Sequence, residues 1–157
     1  MYTTSTKIFP TTHVFGRMFQ KVEKLPTRKM HWTSIEMVGP LANGNNALLR
    51  FGGEYDNFMD NYVANGGETA KMSKTPVPIN EWTCIEWEYD NSNDTMRMWS
   101  DEQLISDIEV VSDPNWVHPK YQKIYVGWQN YQPNLVVPMN VWIDDVAMDS
   151  QRIGCTK

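Results

Sequence analysis

Apolar and polar residues alternate with a period near two over short stretches of this chain, and clusters of glycine, proline, asparagine and aspartate separate those stretches. That alternation, with many β-branched and aromatic residues, is the pattern of strands half covered by a core. It predicts strands at Phe15–Glu23, His31–Val38, Ala47–Tyr55, Phe58–Ala64, Trp82–Tyr89, Thr95–Ser100, Lys123–Tyr131 and Val141–Asp149, with a shorter one at Leu104–Val111. No helix of any length is predicted. Turn-forming runs at Gly39-Pro40 with Asn43-Gly44-Asn45-Asn46, at Asn65-Gly66-Gly67 and from Asp90 to Asp94 join neighbouring strands tightly, which means antiparallel pairing. The proline pairs Pro76 and Pro78, Pro114 and Pro119, and Pro133 and Pro138 mark loops or sheet edges, because a central strand needs every N–H donor. With no internal repeat, the expectation is one all-β domain over residues 1–157: an antiparallel two-sheet jelly roll, the concanavalin A-like sandwich.

Side chains alternate across a strand, so parity sorts each strand into two faces. In Trp82–Tyr89, Ile85, Trp87 and Tyr89 turn to the core, and Cys84, Glu86 and Glu88 turn away. In His31–Val38, Ile35 and Met37 draw His31 and Thr33 inward and leave Trp32, Ser34 and Glu36 outward. Leu49 and Phe51 leave Arg50 and Glu54 outward, and Arg17 lies opposite Gly16, Met18 and Val22. In the seventh predicted strand Val126 and Trp128 oppose Tyr125, Gln129 and Tyr131. The result is a predicted polar face bearing Arg17, Glu36, Arg50, Glu86, Glu88, Gln129 and Tyr131, a mixture suited to a hydroxyl-rich ligand. The plain alternative is an antiparallel sheet with one wet face.

Composition narrows the choice of ligand. The chain has 157 residues, a net charge of -5, and no run of Lys or Arg of the kind that neutralises phosphates, so nucleic acid is not an expected partner. No stretch has the roughly 18 consecutive apolar residues of a membrane-crossing helix, and Met1 to Pro10 has no apolar signal core, so an exported form would have shed its leader. Seven Trp and seven Tyr supply rings for core, interface or sugar stacking. Cys84 and Cys155 permit one intrachain disulfide or two buried thiols. His13 and His118 read as surface residues, and three scattered histidines give no zinc spacing.

Several short segments come in a familiar order: His31-Trp32 through Glu36, Arg50-Phe51-Gly52-Gly53, Trp82 through Trp87, Met96-Arg97-Met98-Trp99, and Trp142 through Val146 continuing to Cys155. In these the chain resembles the concanavalin A-like jelly rolls of secreted carbohydrate-active proteins, in particular the group of the fungal cellulose-induced secreted protein and the glucuronan lyases. The likeness runs from about Phe9 to Cys155. It departs from that group at the N-terminus, where additional strands usually come before the segment matching Phe15–Phe19, so a monomer lacking early strands or a dimer completing the sheet edge is expected. The resemblance implies extracellular action on a polysaccharide or oligosaccharide and, in its lyase members, β-elimination beside a uronate carboxylate. That reaction needs an Arg or amide to neutralise the carboxylate and a Tyr or His to move protons. Arg50, Gln129, Tyr131 and His31 are the matching residues, with Arg17 in reserve, and Trp32, Glu36, Glu86, Glu88 and Trp99 are candidate substrate contacts.

Two other readings compete. Glu86-Trp87-Glu88-Tyr89-Asp90 has the i, i+2, i+4 acidic spacing of jelly-roll glucanases, and residues two apart on a strand lie about 6.6 Å apart, within the range of glycosidase carboxylate pairs. A binding module without catalysis would stack sugars on Trp32, Trp99, Trp116 and Tyr131. No cofactor is required by any of the three, although Asp145 is a candidate oxygen ligand for a structural Ca²⁺. Asn93-Asp94-Thr95 fits a glycosylation sequon in a predicted hairpin turn.

Overall fold

The computed structural model describes residues 2–5, 12–25, 30–132 and 138–156. Eleven strands form among them: β1 Tyr2–Ser5, β2 His13–Val22, β3 His31–Pro40, β4 Asn46–Glu54, β5 Asn57–Ala64, β6 Gly67–Pro76, β7 Thr83–Asp90, β8 Thr95–Ser100, β9 Gln103–Leu104, β10 Lys123–Asn130 and β11 Val141–Asp149. Every pairing is antiparallel. One sheet has six strands in the order β1-β10-β3-β4-β5-β6, and the other has five in the order β11-β2-β7-β8-β9. The two sheets pack face to face as the jelly roll the alternation predicts.

The core between them is built from Ile35, Met37, Leu49, Phe51 and Phe58 on one side and Val14, Met18, Ile85, Trp87, Tyr89, Met96 and Met98 on the other. Full burial of rings this large is worth roughly 2–3 kcal/mol each. Gly16 leaves room for one of them, since a Cβ there would overlap the Trp87 indole. Strand β7 is buried along its whole length: the core covers one face and the C-terminal tail covers part of the other.

Four sequence expectations are corrected. Strand β6 is absent from the predicted set because GETAKMSKTP is an edge strand with almost no buried face, so it has no alternation to detect. The predicted Leu104–Val111 strand is only the two-residue β9, followed by a 3-10 turn at Ser106–Ile108 and a single bridge from Val110 to Met96. At the N-terminus, where the resemblance implies that early strands are lacking, one is present, for β1 pairs with β10 at the edge of the six-stranded sheet. His118 is not a surface residue. It is buried, its Nδ1 lies 2.6 Å from the Tyr121 hydroxyl, and its backbone N–H donates to Asp94 Oδ1.

Burial pushes the His118 pKa down to about 4 from an ordinary 6.5. Below pH 6.5 the unfolded chain takes up a proton that the folded chain refuses, so this stabilisation is complete above pH 6.5 and is lost as pH falls toward 4. We expect His118→Asn to remove up to about 3 kcal/mol of stability change between pH 7 and pH 4, read from urea denaturation of variant and parent. An unchanged difference between the two proteins across that range would contradict it.

Candidate active site on the six-stranded sheet

A bulge in β3 creates the site. The register between β3 and β4 slips between Thr33 and Ile35, so parity inverts within the strand. Beyond the bulge Ile35 and Met37 face the core, as predicted; before it, Trp32 faces the core and His31 and Thr33 face outward. Trp32 is fully buried and stacks on Trp128 with ring centroids 4.2 Å apart. The inward assignment of His31 and the outward assignment of Trp32 were therefore the wrong way round.

Glu36, Arg50 and Asn61 lie opposite one another across β3, β4 and β5. Their side chains link in a row: Arg50 Nε donates to Glu36 Oε2 at 2.6 Å, Arg50 Nη1 reaches Asn61 Oδ1 at 3.4 Å, and Asn61 Nδ2 donates to Glu68 Oε1 at 2.7 Å. The Arg50 guanidinium lies 4.8 Å from the centre of the Tyr131 ring. Tyr131 is held where β10 ends, its backbone N–H donating to the His31 carbonyl, and the next residue, Gln132, accepts the His31 N–H at its Oε1 at 2.8 Å. His31 Nε2 lies 3.0 Å from Glu54 Oε1, its register partner on β4. These groups surround a cavity of about 190 Å³ lined by His31, Thr33, Arg50, Met59, Asn61, Glu68, Tyr131 and Gln132.

The electrostatics are mixed. Burial pushes the Tyr131 phenol above 10.0, the nearby Glu36 and Glu68 push it the same way, and Thr33 and Arg50 offset part of this. Tyr131 is thus a protonated donor at neutral pH. The charge of Arg50 is largely balanced by Glu36, while Glu54 and Glu68 add negative charge to the rim.

Of the predicted residues, the structure brings His31, Arg50, Tyr131 and Glu36 together. Gln129 shares the face by its pairing with Thr33, but it is exposed and outside the cavity wall, and Gln132 supplies the amide instead. The predicted single polar face does not exist: Arg17, Glu86, Glu88 and Trp99 belong to the outer face of the five-stranded sheet, across the core from Arg50. There Arg152 binds Glu86 at 2.6 Å and covers Trp99 at 4.5 Å from its ring centre. Glu88 is held by His13 at 2.8 Å and Arg97 at 3.0 Å, and Asp90 Oδ1 accepts from both the Ser92 N–H and hydroxyl. The acidic triplet is therefore locked in ion pairs and a turn, with Glu86 only 1% exposed, and is not arranged to attack a sugar. Trp116 is also buried, which removes it and Trp32 as stacking platforms.

Asp145 pairs with Arg17 at 3.0 Å. Among the described residues it belongs to no group of three converging acidic, His or Cys side chains. Cys84 and Cys155 form a disulfide, their Cα atoms 5.8 Å apart. Asn93 of the sequon sits in the turn between β7 and β8, its amide nitrogen donating to Asp90 Oδ2. Residues that sequence reasoning missed are Thr33, Glu54, Asn61, Glu68 and Gln132. Asn61 was accessible from its parity opposite Phe58 and Tyr62 in a strand already predicted; Glu68 lies on the unpredicted β6.

The antiparallel sandwich is a jelly roll, and the family model that matches it is of the polysaccharide-lyase-like class. The chain belongs to the Cip1-like core-domain family of that class, whose model matches residues 2–151. Among solved structures it is similar to the cellulose-induced protein Cip1, with a TM-score of 0.71 and 22% identity over 97% of this chain and 74% of that one. It is also similar to an alginate lyase from Pseudomonas aeruginosa, with a TM-score of 0.58 and 12% identity over 90% of this chain and 66% of that one. A carbohydrate binding module from Bacillus subtilis matches with a TM-score of 0.51 and 12% identity over 95% of this chain and 78% of that one. No curated protein sequence matches the chain significantly.

Proposed function

We propose that this domain acts outside the cell on a uronate-containing polysaccharide and cleaves it by β-elimination in the cavity at Arg50. The observation that carries the reading is the convergence of His31, Arg50, Tyr131 and Gln132 on one small cavity from two sheet strands and the end of a third. Family membership and the Cys84–Cys155 disulfide, a bond of oxidising compartments, support it.

In the proposed reaction a base removes the proton at C5 of the uronate, its electrons form the C4–C5 double bond, and the C4–O4 bond breaks. A general acid then protonates the departing oxygen. His31 suits the base: with Nε2–H given to Glu54, Nδ1 is left as the acceptor. Tyr131 suits the acid, because burial keeps its phenol protonated. Gln132 offers an amide donor, and Arg50 a guanidinium, to the carboxylate on which negative charge builds up.

The test is absorbance at the double-bond band during incubation with glucuronan, alginate, pectin and glucuronoxylan. A rise with one of them is expected, and Tyr131→Phe is expected to slow it by about 10²–10⁴-fold. No rise with any of the four would overturn the elimination.

One observation favours a second reading. Arg50 is already balanced by Glu36, and Glu54 and Glu68 leave the rim negative, which suits a neutral glycan held without chemistry. Glycan binding without any new absorbance, lost on Arg50→Ala, would decide for a binding domain.

A further inference from the structure

A second cavity, of about 520 Å³, lies beside the first and shares Glu68 with it as a wall. Its rim is made of amides. Asn43 and Asn45 both donate to Asn65 Oδ1, at 2.9 and 3.0 Å, which ties the β3–β4 turn to the β5–β6 turn. Asn115 donates to Asp113 Oδ1, and the Tyr62 hydroxyl donates to the Val117 carbonyl at 2.8 Å, so the third wall is fixed to β5. The floor is apolar, from the half-buried Leu41 and Ala64, with the exposed Val117 beside them.

Amides held by one another above an apolar floor suit a pyranose ring, which carries hydroxyls on its rim and C–H groups on its faces. Charge sharpens the match. Glu68 is the one acidic side chain in that lining, and no Lys, Arg or His accompanies it. A uronate placed there would bring a second carboxylate against Glu68 with no cation between them.

We infer that this cavity is a second subsite for the glycan handled at Arg50, and that the sugar it takes is uncharged. The inference rests on the glycan reading of the first cavity. Joined at Glu68, the two cavities select a chain in which a neutral sugar neighbours the one at Arg50, and disfavour a homopolyuronate.

The test is calorimetric titration of the full chain with disaccharides and hexasaccharides from glucuronan, from glucuronoxylan and from unsubstituted xylan. The parent protein is expected to bind a hexasaccharide containing neutral sugars at least about tenfold more tightly than its disaccharide. Val117→Trp, which fills the cavity from its exposed side, and Asn115→Ala are expected to abolish most of that gain and leave disaccharide binding unchanged, which also shows that both variants fold. Glu68→Gln is expected to improve binding of the glucuronan hexasaccharide relative to its disaccharide. If hexasaccharides bind no better than disaccharides, or if Val117→Trp leaves the gain intact, the subsite is refuted and the first cavity stands. If no oligosaccharide of either length binds, both readings fall.

Discussion

Asp60→Asn is expected to make the protein more stable than its parent at pH 8.5 and to bring the two close together at pH 4. Asp60 lies on β5 with its side chain in the core, and it is fully buried. Its Oδ1 accepts the Lys71 N–H at 2.8 Å, while Oδ2 has no hydrogen-bond partner among the described residues. Burial raises its pKa from 3.8 to about 8, and the Lys71 amide and amine offset only part of that. Below pH 3.8 folded and unfolded chains are both protonated, and Asp60 contributes no pH dependence. Between pH 3.8 and 8 the folded chain keeps a proton that the unfolded chain has lost, so stability falls as pH rises and levels off above 8. The full displacement corresponds to at most roughly 6 kcal/mol. Asparagine keeps the acceptor for Lys71 and cannot ionise, so urea denaturation at several pH values should show the advantage of the variant growing from pH 4 to pH 8.5. Parallel curves would show that Asp60 is ionised in the folded protein. The effect runs opposite to that of His118 between pH 4 and 6.5, so the parent's own profile conceals both, and the variants are needed to separate them.

Reduction of the disulfide, or Cys84→Ala with Cys155→Ala, is expected to lower stability by about 4 kcal/mol, the loop-closure value for a separation of 71 residues. The bond anchors the C-terminal tail on the outer face of the five-stranded sheet. There Arg152 and the Gly154 N–H both bind Glu86, the latter at 2.9 Å. Without the bond these contacts must hold the tail alone, and fraying would leave Glu86 without its cation. Thermal unfolding with and without reductant measures the loss. Because Arg50 and His31 lie on the opposite sheet, glycan binding well below the melting temperature should survive reduction. An unchanged melting temperature would show that the tail needs no tether.

The sequence made most of the architecture readable because eight of the strands have one face in the core and one in a different environment, so alternation reports them directly. It also placed Cys84, Glu86 and Glu88 on one face and Ile85, Trp87 and Tyr89 on the other, as observed. It failed where the period breaks. At β3 the bulge inverts parity, which no count of alternating residues reveals, and it exchanged Trp32 with His31. Parity also says which face of its own strand a residue takes, but not which sheet that strand joins. Arg17, Glu86 and Glu88 were therefore grouped with Arg50, although a whole core lies between the two faces. Strand β6 was lost for a third reason, that its residues are exposed on both sides.

That same exposure bears on how the protein behaves when concentrated. Strand β6 ends the six-stranded sheet, and an edge strand is the usual template for fibrous association, but here Asp107 already accepts the Lys74 N–H. Its sequence blunts the threat: the exposed Lys74 puts positive charge on the border, and Pro76 closes it with a residue that has no N–H to donate. An edge so occupied leaves a second chain few free donors to pair with at the flank that carries Glu68.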